Sequence, residues 1–175
     1  MIYPLPDIED SSLINHLYQF LDEAIEIDGA AFGYIQLYNP KSDSLEIVVQ
    51  RGFEAPFLAM FKHVRVFDAT VCARAFRLGN SVAIKDLSVD PFISQFLLVY
   101  EDHGIYAAQS TPILDQDKIV IGMLSTHFPR HYYPTTEGMA SIEQIASKVA
   151  DKILEYGLMQ KGIPINDNQR SIFRE

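Results

Sequence analysis

The sequence predicts an α+β fold in which a central antiparallel sheet carries helices on both faces, a three-layer α/β/α arrangement. Three observations predict it. Stretches with helical periodicity stand at the two ends, over 8–27 and from Thr135 to about 156. Two stretches, 30–53 and 107–128, each hold a pair of strand-like runs around a polar turn. The second pair is apolar on both of its faces, whereas an antiparallel sheet with one wet face alternates apolar and polar residues.

The elements follow in order. Leu13, Leu17, Leu21 and Ile25 recur every four residues, joined by Ile14 and Ala24, with Asp22, Glu23 and Glu26 on the other side. That spacing makes one apolar helix face, and Asp28-Gly29 ends it. AAFGYIQLY (30–38) and LEIVVQRGF (45–53) read as antiparallel partners around the turn Asn39-Pro40. A short helix is expected over 55–63, followed by VRVF (64–67). Asp68 is the expected cap of a helix from about 70 to 78, with Val71, Ala75 and Phe76 inward and Gly79-Asn80 as its stop. SVAIKD (81–86) is a short strand. Asp90-Pro91 opens a helical stretch from Phe92 to Glu101, with Gly104 just beyond. The closing helix has the stripe Met139, Ile142, Ile145 or Ala146, Val149, Ile153 and Tyr156.

In the second hairpin, pairing Leu114 with Ile119 across DQDK sorts the side chains. One face receives Ala108, Ser110, Leu114, Ile119, Ile121, Met123, Ser125 and His127. The other receives Ala107, Gln109, Thr111, Ile113, Val120, Gly122, Leu124, Thr126 and Phe128. The long terminal helices are expected to pair on one side, with Gly122 and Ala107 letting a helix approach closely. The Ser110, Ser125 and His127 face then lies under the irregular middle segment, the kind of cover beneath which cavities form.

The bulk composition narrows the function classes. The 175 residues fit one domain, here 1–156, with 157–175 reading as a tail or linker because the apolar pattern fails from Gly157. A net charge of −9 disfavours nucleic acid and anionic membrane as partners. No apolar run reaches the ~18 residues of a membrane span, and the N-terminus lacks the basic and apolar regions of a signal peptide. One cysteine, Cys72, makes neither an internal disulfide nor a Cys-based zinc site and suits a reducing cytoplasm.

Ser125 and His127 stand two apart on one strand face, but no third residue orients the imidazole and no Gly-x-Ser-x-Gly turn exposes a nucleophile. No catalytic residue is therefore expected. His127 and His131 have an H-x3-H spacing, but the first is on a strand and Pro129 intervenes, so no metal site is expected. Cys72 reads as core packing near a helix start, His103 as a helix-end cap, and Lys85, Asp86 and Asp90 as loop charges. Phe92, Phe96 and Tyr100 recur every four residues, either as ordinary packing on the sheet or as a cover closing over a planar ligand.

TVCARAFRLGNSVAIKDLSVDPFI (70–93), HGIYAAQSTPILDQDKIVIGMLSTHF (103–128) and YPTTEGMASIEQIASKVADKIL (133–154) together resemble the GAF domain, in particular GAF domains of bacterial sensor histidine kinases and related signalling proteins. The likeness spans about 8–156; the first 60 residues share only the helix-then-hairpin layout. It implies a GAF/profilin-like sheet of about six strands, and terminal helices that pack in a homodimer and signal to an output kinase or regulator domain. It also implies that the strand bearing His127 faces a ligand. The ligand-binding set is then Phe76, Phe92, Phe96, Tyr100, Ser110, Met123, Ser125 and His127. The cofactor stays unknown, because such domains take cyclic nucleotides, tetrapyrroles, haem, amino acids or nothing. Cys72 lacks the surroundings of a bilin-attachment cysteine, and methionine sulfoxide reductases of this fold use several cysteines. The expected function is a cytoplasmic, non-catalytic sensor of a small ligand. The alternative is a structural dimerisation module whose pocket is filled by its own side chains, with Phe76, Phe92, Phe96 and Met123 bulky enough to fill it.

Overall fold

The computed structural model describes residues 11–160. Helix α1 (Ser11–Asp28) leads into strands β1 (Phe32–Asn39) and β2 (Ser44–Arg51). Helix α2 (Ala55–Phe61), strand β3 (His63–Arg65), helix α3 (Val71–Leu78) and strand β4 (Val82–Ile84) follow. A 3-10 turn at Leu87–Val89 precedes α4 (Leu97–Asp102), β5 (Ala107–Leu114), β6 (Val120–Phe128) and α5 (Thr136–Gln160). The strands form one six-stranded sheet in the order β3-β2-β1-β6-β5-β4, antiparallel at every pairing. No helix among the described residues is long and apolar enough to cross a membrane.

The terminal helices pack side by side on one face. Leu13, Leu17, Leu21 and Ala24 of α1 meet Ile142, Ile145, Ala146 and Val149 of α5 over Ile35, Leu37, Ile113 and Leu124 of the sheet, so the four-residue spacing works as read. Most outward residues of these helices are polar, among them Asn15, Gln19, Asp22 and Glu26 on α1 and Glu143, Gln144, Ser147 and Lys148 on α5. Ile27 and Ala140 are the exposed apolar exceptions among the described residues. The other face is covered by α2, α3, α4 and their connections.

Several local expectations change. The expected helix start at residue 8 and the tail beyond 160 lie outside the described residues, and α5 continues through Gly157 to Gln160. Thr70, not Asp68, caps α3, accepting from the Ala73 N–H, and Gly79 ends it in the left-handed conformation. The Asp68 carboxylate instead accepts from the Arg65 N–H. In the β5–β6 hairpin Leu114 pairs with Val120 across an irregularity at Ile113/Leu114. One extra residue reverses the alternation beyond it, so Val120 packs toward the middle helices and Ile121 toward the terminal ones. Ile119 is exposed. The close helix approach falls at Gly33, where an added Cβ would meet Leu21 and Ile25 of α1; Gly122 instead abuts the neighbouring strand at Gln36.

No continuous helix runs from Phe92 to Glu101. Asp90 accepts from the N–H groups of Phe92 and Ile93, which turns the chain and buries Ile93 instead of Phe92. Asp90 is more than a loop charge, because Arg74 of α3 donates to both its oxygens at 3.0 and 2.9 Å. The two side chains are 20% and 9% exposed. Arg74→Ala leaves that carboxylate without its cation and is expected to cost about 2 kcal/mol. Hydrogen exchange should then quicken over 86–96. Unchanged exchange there would show that the ion pair does not hold this segment.

Candidate functional site

Strand register builds the sheet face under the middle helices. Tyr34 of β1 lies opposite Ser125 of β6, which lies opposite Ser110 of β5. The row on one side is Phe32, His127 and Ala108; on the other it is Gln36, Met123 and Pro112. Helix α2 presents Phe57 and Phe61, α3 presents Val71, Cys72 and Ala75, and α4 presents Tyr100. The stripe Phe53, Phe57, Phe61 supplies most of the aromatic cover.

Polar atoms persist inside this apolar layer. The Ser110 and Ser125 hydroxyls share a hydrogen bond of 2.7 Å. The Tyr34 hydroxyl interacts with Cys72 and Ser125, and burial pushes its pKa well up. His127 is 1% exposed and ringed by Tyr34, Phe53, Phe57 and Tyr100, with ring centroids 5.1 to 6.2 Å away. Burial alone pulls its pKa down to about 3, so it is a neutral imidazole at pH 7. Its Nδ1 has no hydrogen-bond partner, and neither do the amide oxygen and nitrogen of Gln36 on this face or of Gln109 on the opposite one. Buried polar groups are normally paired, so His127 Nδ1 and the Gln36 amide are hydrogen-bonding capacity within this apolar layer.

Five of the eight predicted site residues converge here: Tyr100, Ser110, Met123, Ser125 and His127 are all buried on or against this face. Phe96 sits half-buried at its edge, 5.6 Å from Phe61. Phe76 is further out, against Tyr38 at 4.9 Å. Phe92 does not belong to the face: it is 61% exposed beneath the Arg74 guanidinium. Tyr34, Gln36, Phe53 and Phe57 were missed. The spacing of Phe53, Phe57 and Phe61 is the same four-residue signal that was read at Phe92, Phe96 and Tyr100. Tyr34 and Gln36 needed the β1–β6 register, which no local pattern contains. His103 caps α4, its ring Nδ1 lying 2.7 Å from the Val99 carbonyl oxygen.

The sequence profile of the GAF domain family matches residues 17–154, the whole sheet and nearly all of both covering layers. The chain belongs to the GAF domain family. No curated protein matches it. Among solved structures, this GAF domain is similar to a domain of a protein described as a two-component sensor histidine kinase from Sinorhizobium meliloti 1021, at TM-score 0.71 and 15% identity, covering 85% of this chain and 94% of that one. It is also similar to a GAF domain region from Geobacter sulfurreducens PCA, at TM-score 0.71 and 16% identity over 82% and 94% of the two chains. A free methionine-R-sulfoxide reductase from Neisseria meningitidis matches at TM-score 0.66 and 18% identity, over 87% of this chain and 84% of that one. At these identities the shared property is the fold, here a signalling sensor fold; chemistry has to be argued from this chain's own atoms.

Those atoms do not form a nucleophile and its base. Ser125 is bonded to Ser110, and among the described residues no hydrogen bond joins it to His127. No group of three or more His, Cys, Asp or Glu side chains there is placed to hold a metal ion. Cys72 is 1% exposed, and burial raises its thiol pKa against the hydrogen bonds from Thr70 and Tyr34. The folded GAF domain is expected to resist a thiol reagent at pH 8 and to react at once in denaturant. Rapid labelling of the native protein would disprove this burial. A groove of about 350 Å³ lies elsewhere, between α5 and the β5–β6 turn, and none of the predicted site residues lines it.

Proposed function

We propose that this GAF domain is a non-catalytic sensor that takes a small ligand between the sheet and α2, α3 and α4, and passes its binding state through α1 and α5 to an output kinase or regulator domain. The supporting observation is the set of buried polar atoms without partners, His127 Nδ1 and the Gln36 amide, on the face that also carries Ser110, Ser125 and Tyr34. The site has aromatic walls with a few hydrogen-bonding groups, which is how small-molecule pockets are generally made. The buried thiol of Cys72 and a Ser125 bonded to Ser110 rather than to His127 favour binding over catalysis. Homodimerisation through the terminal helices belongs to the same proposal, and would join outer surfaces that are mostly polar, with Ile27 of α1 exposed among them.

A specific observation favours the rival, a structural dimerisation module with a self-filled pocket. Phe53 stacks on Phe57 at 4.2 Å, Phe61 lies tilted against Phe57 at 4.4 Å, and the Phe53 and Phe57 rings occupy the space over His127. Native against denaturing mass spectrometry of freshly purified protein, with a visible absorbance scan, separates the two. Extra mass that is lost on denaturation supports the sensor; a colourless dimer at the sequence mass supports the module.

A further inference from the structure

Strand β6 has two faces with different business. Ser125 and His127 point into the layer under the middle helices, and Thr126 between them points the other way, under α1 and α5. There its hydroxyl donates to Asp28 Oδ2 at 2.7 Å. Asp28 is the last residue of α1. Its other oxygen accepts from the Tyr132 hydroxyl at 2.9 Å, on the segment that leads into α5. The Tyr132 ring stacks on Phe128 of β6 at 3.7 Å. Arg130 donates to the Gly29 carbonyl at 2.9 Å, and the Ala31 N–H donates to the His127 carbonyl at 3.0 Å. Strand β6, through Thr126, and the approach to α5, through Tyr132, therefore meet at the Asp28 carboxylate that ends α1.

The Asp28 carboxylate is buried, only 8% exposed, and no ion pair to it is present among the described residues. Two hydroxyls hold it. A buried charge that loses one of two hydrogen bonds is costly, so a displacement of β6 that breaks the Thr126–Asp28 bond is penalised at this junction.

We propose that Asp28, Thr126 and Tyr132 form a latch that couples the Ser125–His127 face to the terminal helices, with Thr126 as the positioning residue. The proposal deepens the sensor reading by naming the path through the sheet: a change that moves β6 on the ligand side is transmitted one residue away, to the carboxylate that joins α1 to the lead-in of α5. Residues in one strand are rigidly linked, so no long chain of intermediates is required.

Hydrogen-exchange mass spectrometry on the full chain tests it without any ligand. Ser125→Ala removes the bond to Ser110 on the ligand side. It is expected to quicken exchange about fivefold at the end of α1 and over 129–140, and Thr126→Val about tenfold in the same peptides. In the Thr126→Val background Ser125→Ala should add nothing there, because the latch is already open. Thr126→Ser, which keeps the hydroxyl, should restore the response to Ser125→Ala. Independent, additive effects of the two substitutions would overturn the latch, as would a Ser125→Ala response confined to β5, β6 and the middle helices. If Thr126→Val does not fold, Tyr132→Phe removes the other donor and takes its place. A pocket that binds nothing would defeat the sensor reading and leave this result standing.

Discussion

Gly122→Ala is expected to cost about 3 kcal/mol or more, toward the upper end of what overpacking does. Gly122 pairs with Leu37 of β1 on one side and Ile113 of β5 on the other, in the middle of the sheet. An added Cβ would run into the carbonyl oxygen of Gln36 and lie 3.0 Å from a Leu37 methyl. The oxygen is backbone, so it cannot rotate away; only separation of β1 from β6 makes room. That pairing joins the two halves of the sheet and carries both the Gln36–Met123 and the Tyr34–Ser125 rows. Gly33→Ala is the control, because its Cβ would meet only the flexible ends of Leu21 and Ile25, and a loss of about 1 kcal/mol is expected. Urea unfolding of both variants gives the comparison. If Gly122→Ala matches wild type within about 0.5 kcal/mol, the sheet centre is looser than this packing indicates.

The contrast between these glycines shows what the sequence could and could not disclose. Helices α1 and α5 were legible because each places one apolar side on the sheet, and four-residue spacing records that directly. The two-sided burial of β5 and β6 was legible because neither face of the hairpin alternates. What decides Gly122 is the lateral neighbour, Gln36, 86 residues away in the chain, and no local pattern encodes it. The same limit hid the place of Tyr34 and Gln36 beside Ser125 and Met123. Phe92 failed for a different reason. Its spacing to Phe96 and Tyr100 is helical, but Asp90 bonds to the N–H groups of Phe92 and Ile93, and a side chain competing for backbone donors breaks the helix that periodicity alone predicts. The hairpin slip arose similarly. Asp115 accepts from the N–H groups of Asp117 and Ile119, so the turn, not the apolar pattern, sets the register.

Lowering the pH is expected to weaken this protein through His127, and His127→Phe is expected to remove most of that loss. In the fold His127 is neutral, with its pKa pulled from 6.5 to about 3 by burial among four aromatic rings. In the unfolded chain it takes up a proton near pH 6.5. The unfolded state therefore binds more protons between those two values, and stability that is full above 6.5 drains away as the pH falls toward 3. At pH 4.5 the loss amounts to roughly 2–3 kcal/mol, at about 1.4 kcal/mol per unit. Asp28 acts in the opposite direction, since burial raises its pKa above 3.8 and its protonated form favours the fold as the pH falls through that window. The informative quantity is accordingly the difference between wild type and His127→Phe, in urea midpoints at pH 7 and pH 4.5. A difference that opens by 2 kcal/mol or more at the lower pH describes a layer in which the rings keep water from Nδ1 in the protein without ligand. Parallel pH dependence would mean that the charged imidazole is solvated within the fold, and a layer that admits water to His127 has room for a ligand atom at the same place. The experiment thus measures how closed the Ser125–His127 face is before any ligand is added.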